Sequence, residues 1–301
     1  MSKKSSPWVA SLRDLDAWLF VRPIPVDGLC LYRLGFGLLL FLQAATWLPH
    51  TRELFSNQGF HTPLLPLPAP SPSLALASCL VLMLASASLC VGLFTRVATA
   101  AALVPWTFLY LQDQIAEEAI TSIVLVLLVL LLFAPCGAKY SVDAWLRTRR
   151  GQPLQKTTSP LALRLLQLEF AQVYFFCGMT KMAHPQWVDG SVFFHIFTSR
   201  YATDLGIWIS GRLPALTAHV GAFATILYEL LAGFLLFQPL WRPWVITVGV
   251  LFHLGIQSVL AVGFLGPHFG LALVTLFPSP PTLKRIVRAL RRLQPRSRST
   301  A

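Results

Sequence analysis

Residues 174–190 read YFFCGMTKMAHPQWVDG, an apolar helical pattern with one lysine, Lys181, near its end and a break at Pro185. An ammonium at membrane depth costs about 2.5–3.5 kcal/mol on insertion scales, so a chain seldom keeps one there without a use. Two uses compete. The lysine can run its stem through lipid and place its head among headgroups, or it can sit enclosed among helices, where it can hold or pass a proton. Upstream, Gln167, Tyr174 and Lys181 recur every seven residues and share one helix face. Gly178, beside them, lets a second helix approach closely.

Other polar side chains interrupt the apolar runs. Glu229 sits inside ILYELLAGF, where an ionised carboxylate is expensive; it is expected to be paired, or protonated and hydrogen-bonded. His253 and Gln257, four residues apart in LFHLGIQS, share a face, and a neutral histidine there can equally be packing glue. Glu169 and Gln172 lie on a different face from Lys181, and Gln167 and Gln172 read best as hydrogen-bonding glue between helices. His268 and His219 are weaker candidates. Arg33, inside the first apolar run, is expected to pair with a carboxylate or to snorkel inward. The seven histidines lack metal-ligand spacing and the five cysteines form no C-x-x-C pair, so no metal site is expected. H-E-x-x-H, G-x-S-x-G and P-loop signatures are absent, which argues against a metalloprotease, a hydrolase or an ATPase.

The elements that must position these groups are membrane helices. Of 301 residues, 55% are hydrophobic and 12% charged, against about 25% charged in soluble domains. Apolar runs at about 27–47, 74–94, 97–112, 119–135, 160–183, 214–237, 243–263 and 266–278 predict an all-α, polytopic bundle of about eight spans. With the N-terminus in the cytoplasm, nineteen of the 24 Lys and Arg fall in inside segments, four outside, and Arg33 in the first span. That bias supports the orientation and puts Lys181 at the outer face. The same placement explains the net charge of +12 without a nucleic-acid partner.

Three divisions follow: a cytoplasmic amphipathic arm at 1–26, a transmembrane domain at 27–278 and a basic cytoplasmic tail at 279–301. In the arm, Trp8, Leu12, Leu15 and Leu19 mark one apolar helical face. In the tail, Leu283, Ile286, Val287, Leu290 and Leu293 oppose Lys and Arg, as in a helix on an anionic leaflet. No signal peptide is read at the N-terminus. Residues 48–73 carry six prolines and predict an extended loop without regular structure, and Val192–Phe197 a short interfacial helix. A multi-pass protein with both termini cytoplasmic, in a bacterial inner membrane, is the expected setting.

Several segments together resemble one family. VYFFCGMTKMAHPQWVDG is similar to the helix of vitamin K-dependent gamma-carboxylase that ends in its catalytic lysine and a Trp-acidic-Gly turn. YLQD at 110–113, YSVDAWL at 140–146, LCVGLFTR at 89–96, ELLAGFLLF at 229–237 and FHLGIQS at 252–258 follow in the same order. The resemblance spans roughly 27–278 and points to the horizontally transferred transmembrane (HTTM) domain group. It implies a quinol such as vitamin K hydroquinone as cofactor, with Lys181 as the base that deprotonates it. Removal of a carbon-bound proton, as from a peptide glutamate, for attack on carbon dioxide would follow. His253 falls on a family histidine. Tyr174, Trp187, Gln257 and Glu229 are the implied cofactor-binding residues. The implied partners are membrane lipid or quinone and a separately supplied protein or peptide substrate.

The chain also departs from that pattern. Thr180 stands where the carboxylase has a second lysine, and one extra residue separates Lys181 from Trp187. Ile120 aligns with a family histidine, leaving Glu117 or Glu118 as the substitute, of which Glu118 is the candidate. No lumenal β-rich, propeptide-capturing region is expected within these 301 residues. These departures leave an alternative open: a non-catalytic membrane partner or scaffold, as in toxin maturation or export, that keeps only the fold.

Overall fold

A helix forms on each of the eight apolar runs. The computed structural model describes residues 14–59, 62–112 and 120–293. Trp8 and Leu12 of the expected arm, and Glu117 and Glu118, lie outside them. The helices are α1 (Asp27–Trp47), α2 (Thr51–Phe55), α3 (Pro72–Val91), α4 (Thr95–Gln112), α5 (Thr121–Phe133), α6 (Val142–Arg149) and α7 (Leu161–Ala183). They continue with α8 (Pro185–Val188), α9 (Val192–Phe197), α10 (Asp204–Ser210), α11 (Ala215–Leu235), α12 (Arg242–Val259), α13 (Leu265–Thr275) and α14 (Pro280–Leu293). By length and composition, three stretches are long and apolar enough to cross a membrane: Asp27–Phe55, Pro72–Val91 and Ala215–Leu235. Helices α5 and α13, at 13 and 11 residues, are shorter than the roughly 20 a straight crossing takes.

Local chemistry sets the ends. Ser71 caps α3 by accepting from the Leu74 amide, Pro72 occupies its first turn, and Gly92 closes it at φ +72°. His184, ahead of Pro185, is extended and ends α7. The long helices then close into a ring: α1 packs on α3, α3 on α4, α4 on α5, α5 on α7, α7 on α11, α11 on α12, α12 on α13 and α13 on α1. Small residues bring α7 and α11 together. A Cβ placed on Gly178 would sit 3.0 Å from the Leu230 amide nitrogen, and one on Gly233 would sit 2.8 Å from the Ala171 carbonyl oxygen. Aromatic edges fill the interior, with Tyr32 and Phe269 both meeting Phe170 edge-on.

Both terminal segments gather at one end of the ring. There Trp18 meets Phe237 edge-on and Phe237 meets Phe277. A two-residue antiparallel pairing joins β1 (Ile24–Pro25) to β2 (Thr157–Thr158). Lys139 and Tyr140 both bond the Asp27 carboxylate, at 2.9 and 2.7 Å. The N-terminal arm is π-helical over Ala17–Val21, and α14 buries Leu283 while exposing Lys284, Arg285 and Arg288.

Three expectations are corrected here. Arg33 neither pairs with a carboxylate nor snorkels. It is fully buried and donates to four backbone carbonyls: Leu89 (2.5 Å), Cys90 (2.7 Å), Tyr140 (2.6 Å) and Cys136 (3.2 Å). Leu89 and Cys90 end α3, where carbonyls lack intrahelical partners and carry the negative end of the helix dipole. The 48–73 connection is not wholly irregular, because a 3-10 turn at Leu48–His50 and α2 carry the α1 axis onward before the prolines take over. Among the described residues Gln172 bridges no helices; its amide donates to Glu169 on its own helix at 2.6 Å. Gln167 does bridge, donating to the Leu276 carbonyl at 2.7 Å.

The start of α4 is held by Asp143 of α6, which accepts from the Phe94 and Thr95 amides (2.8 Å each) and the Thr95 hydroxyl (2.6 Å). Burial opposes this carboxylate, but the Thr95 hydroxyl, the two amides and the Arg147 charge outweigh it and hold the group below its ordinary 3.8. A depressed folded value means that the stabilisation is complete above the unfolded value and is lost as pH falls through the folded one. Asp143→Asn is expected to cost about 0.5–2 kcal/mol at neutral pH, with the gap to the native protein closing in acid below about pH 4. Thermal melts across that range check it; a gap independent of pH would contradict it.

Candidate functional site

The end of α7 farthest from the chain termini carries Lys181, and α11 brings Glu229 to it. The ammonium donates to Glu229 Oε1 at 2.9 Å and lies 2.7 Å from Oε2. The side chains are 20% and 8% exposed, so the lysine is enclosed rather than snorkelled. Its Nζ also lies 5.1 Å from the centre of the Trp187 ring, in cation–π range. The turn that places Trp187 follows from His184 and Pro185, which end α7 and start the four-residue α8. Gly190, at φ +74°, then passes so close to His219 that a Cβ would fall 2.7 Å from its Cα. That leaves His219 as a packing neighbour of the turn, on an exposed position.

A second pair lies about two turns deeper along the same face of α7. The Tyr174 hydroxyl and His253 Nε2 are 2.7 Å apart, both side chains buried. Rings surround them: His253 stacks on Phe269 at 5.0 Å, and Tyr174 meets Tyr228 and Phe269 edge-on at 5.7 and 5.1 Å. Among the described residues His253 Nδ1 is buried without a hydrogen-bond partner. Tyr174→Phe would strip Nε2 of its partner too, with an expected loss of about 1–3 kcal/mol; an unchanged melting temperature would show the bond to be idle.

The structure therefore joins Lys181, Glu229 and Trp187 in one group and Tyr174 and His253 in another below it. Gln257 stands apart, at the end of α12, where its amide donates to the Gly263 carbonyl at 3.0 Å and its Oε1 is buried with no partner among the described residues. His268 is buried, with Nδ1 2.8 Å from the Phe264 carbonyl of its own helix, and belongs to neither group. Glu118 falls outside the described residues. Tyr228 and Phe269 were not singled out by sequence reasoning. Tyr228 directly precedes Glu229 in the chain, and that adjacency was its one available signal.

An amine and a carboxylate held this way share one transferable proton. The pair is neutral overall either as ammonium and carboxylate or as amine and acid, and a neutral pair is far cheaper to enclose than a lone charge. No solved structure matches the chain. The HTTM domain family model matches residues 21–281, which takes in every helix from α1 to α13 and the first residues of α14. That coverage agrees with the ordered motifs and with helices apolar enough to span a bilayer, and the chain is a membrane protein belonging to the HTTM domain family.

Proposed function

We propose that this protein is a membrane enzyme in which the Lys181–Glu229 pair takes a proton from a lipid-soluble quinol at the outer membrane face. The observation that carries the reading is the enclosed amine, paired with a buried carboxylate and roofed by the Trp187 indole. A base must be able to release and regain a proton at little cost, and a carboxylate at 2.7 Å offers the place to keep it. The bias of Lys and Arg to the opposite side supports an outward-facing site.

The residues fit a hydroquinone. Among the described residues His253 Nδ1 is a buried polar atom without a protein partner, set in the aromatic cluster of Tyr174, Tyr228 and Phe269. When bound, the quinol would supply the reducing chemistry with oxygen that makes a strong base for removing a carbon-bound proton. Tyr174 and His253 orient one another, and Trp187 limits water at the amine. The acceptor would be a carbon acid, such as a peptide glutamate, delivered by a separate protein. The test supplies vitamin K hydroquinone, oxygen and bicarbonate to the reconstituted protein and measures epoxide or quinone formation. Lys181→Ala is expected to lower turnover about 10²–10⁴-fold; unchanged turnover would remove the lysine from the chemistry.

One observation favours a second reading. Lys181 and Glu229 join the same two helices that Gly178 and Gly233 bring into backbone contact. The pair can serve as a clamp between α7 and α11 in a protein that only scaffolds a partner. That reading expects no oxygen-dependent turnover with any quinol, and loss of stability alone when the pair is broken.

A further inference from the structure

A pocket of about 450 Å³ lies where the start of α4, the 134–138 connection and α6 meet. It sits at the end of the ring where both termini gather. It also follows directly on α3, one of the stretches long and apolar enough to cross a membrane. The volume is in the usual range for small-molecule sites. Two guanidinium groups, Arg96 and Arg147, line it together with one carboxylate, Asp143. The carboxylate is already engaged by the Phe94 and Thr95 amides and the Thr95 hydroxyl. Arg147 lies within electrostatic reach of it. Among the described residues, neither arginine side chain makes a hydrogen bond or a close ion pair. The lining therefore carries one excess positive charge.

Apolar side chains stand exposed beside these charges. Phe94 is 67% and Val97 68% exposed, and both line the pocket. Phe94 holds a left-handed backbone at φ +47°, a conformation that favours glycine and that a bulky residue seldom adopts. Asp143 fixes it there by accepting from the Phe94 amide at 2.8 Å, so an aromatic ring is kept where glycine would fold more easily. Trp145, between Asp143 and Arg147 on α6, is 52% exposed with the Arg149 guanidinium 4.3 Å over its ring. Exposed tryptophan beside arginine is the pattern of a membrane–water boundary. A small soluble anion would use the two guanidinium groups and leave the exposed apolar residues without a role. A lipid uses both, because a guanidinium fork matches a phosphate and an acyl chain covers Phe94 and Val97.

We propose that this pocket binds the headgroup of a singly charged acidic phospholipid, its phosphodiester between Arg96 and Arg147 and its acyl chains leaving past Phe94 and Val97. One phosphodiester charge neutralises the excess charge of the lining. Gln155, also in the lining, spends one amide N–H on the Thr157 carbonyl at 3.1 Å and has a second to offer the headgroup. The site lies at the opposite end of the ring from Lys181 and does not rest on the function proposed above.

The test titrates the full chain, in nonionic detergent, with phosphatidylglycerol and counts bound lipid by native mass spectrometry. Saturable binding is expected, about tenfold or more tighter than that of phosphatidylcholine, which carries no net charge. Arg96→Gln with Arg147→Gln should weaken it about tenfold or more. Arg150→Gln with Arg285→Gln removes the same charge from exposed positions outside the pocket and should change binding less than about twofold. Thermal melts confirm folding. Arg96 bonds nothing in the fold, so Arg96→Gln alone should also weaken binding and serves if the double variant unfolds. Equal losses in the two double variants would overturn the proposal in favour of general attraction to a basic surface. So would full competition by glycerophosphoglycerol, the same headgroup without acyl chains, which would make the ligand a free phosphate ester.

Discussion

Arg33→Ala is expected to cost about 3–5 kcal/mol, the loss seen when one side of a buried charged network is removed. Four carbonyls from two separate segments converge on this one guanidinium: Leu89 and Cys90 at the end of α3, and Cys136 and Tyr140 in the connection to α6. Without it they face one another across a dry gap, and each unsatisfied buried acceptor is costly in its own right. Lysine cannot replace it fully. An ammonium is a compact donor without the planar fork, so Arg33→Lys should recover only part of the loss. Gly92 explains why the site tolerates so little change, because a Cβ there would lie 2.7 Å from Arg33 Nη1 on a backbone already at φ +72°. The five cysteines are free, and Cys30, Cys79 and Cys136 are buried. A thiol-reactive dye thus reports unfolding directly, and an Arg33→Ala melting curve superimposable on the native one would refute the assignment.

The second large effect concerns Lys181 and Glu229, and it separates the two readings of function. Lys181→Ala leaves a carboxylate that is 8% exposed without its partner, at an expected cost of about 3–5 kcal/mol. Glu229→Gln should cost less. The remaining ammonium is 20% exposed and keeps the Trp187 ring, an interaction of about 0.5–2 kcal/mol. The double replacement Lys181→Met with Glu229→Leu should then recover much of the stability, because an apolar pair of similar volume often matches a buried ion pair. Turnover should not recover, since no group remains to hold the proton. A stable, inactive double variant of an active native protein supports the base. A stable double variant that still turns over would leave the clamp as the pair's whole role.

Much of this was legible in the chain. The end of α7 could be read from Pro185, because proline's effect is local, whereas the run read as 74–94 passed over the Gly92 that closes α3. Lys181 drew notice through the cost of a charge in an apolar run. Glu229 could be recognised as needing a partner, but not which one. Arg33 was misread because sequence shows acidic side chains as partners for an arginine and does not show the orphan carbonyls at a helix end. Gln172 was misread because its face on α7 was known but not what that face would meet.

The sequence alone determined the all-α class, the positions of the helices on the eight apolar runs and membership in the HTTM domain family. Apolar stretches in lipid must satisfy their own backbone, and a helix does so within one segment. Only the tertiary structure decided that Lys181 meets Glu229, 48 residues away, and that Tyr174 meets His253, 79 residues away. Periodicity fixes which residues share a face. Which face meets which neighbour depends on where small residues let two backbones approach, and that is a property of all the helices packed together.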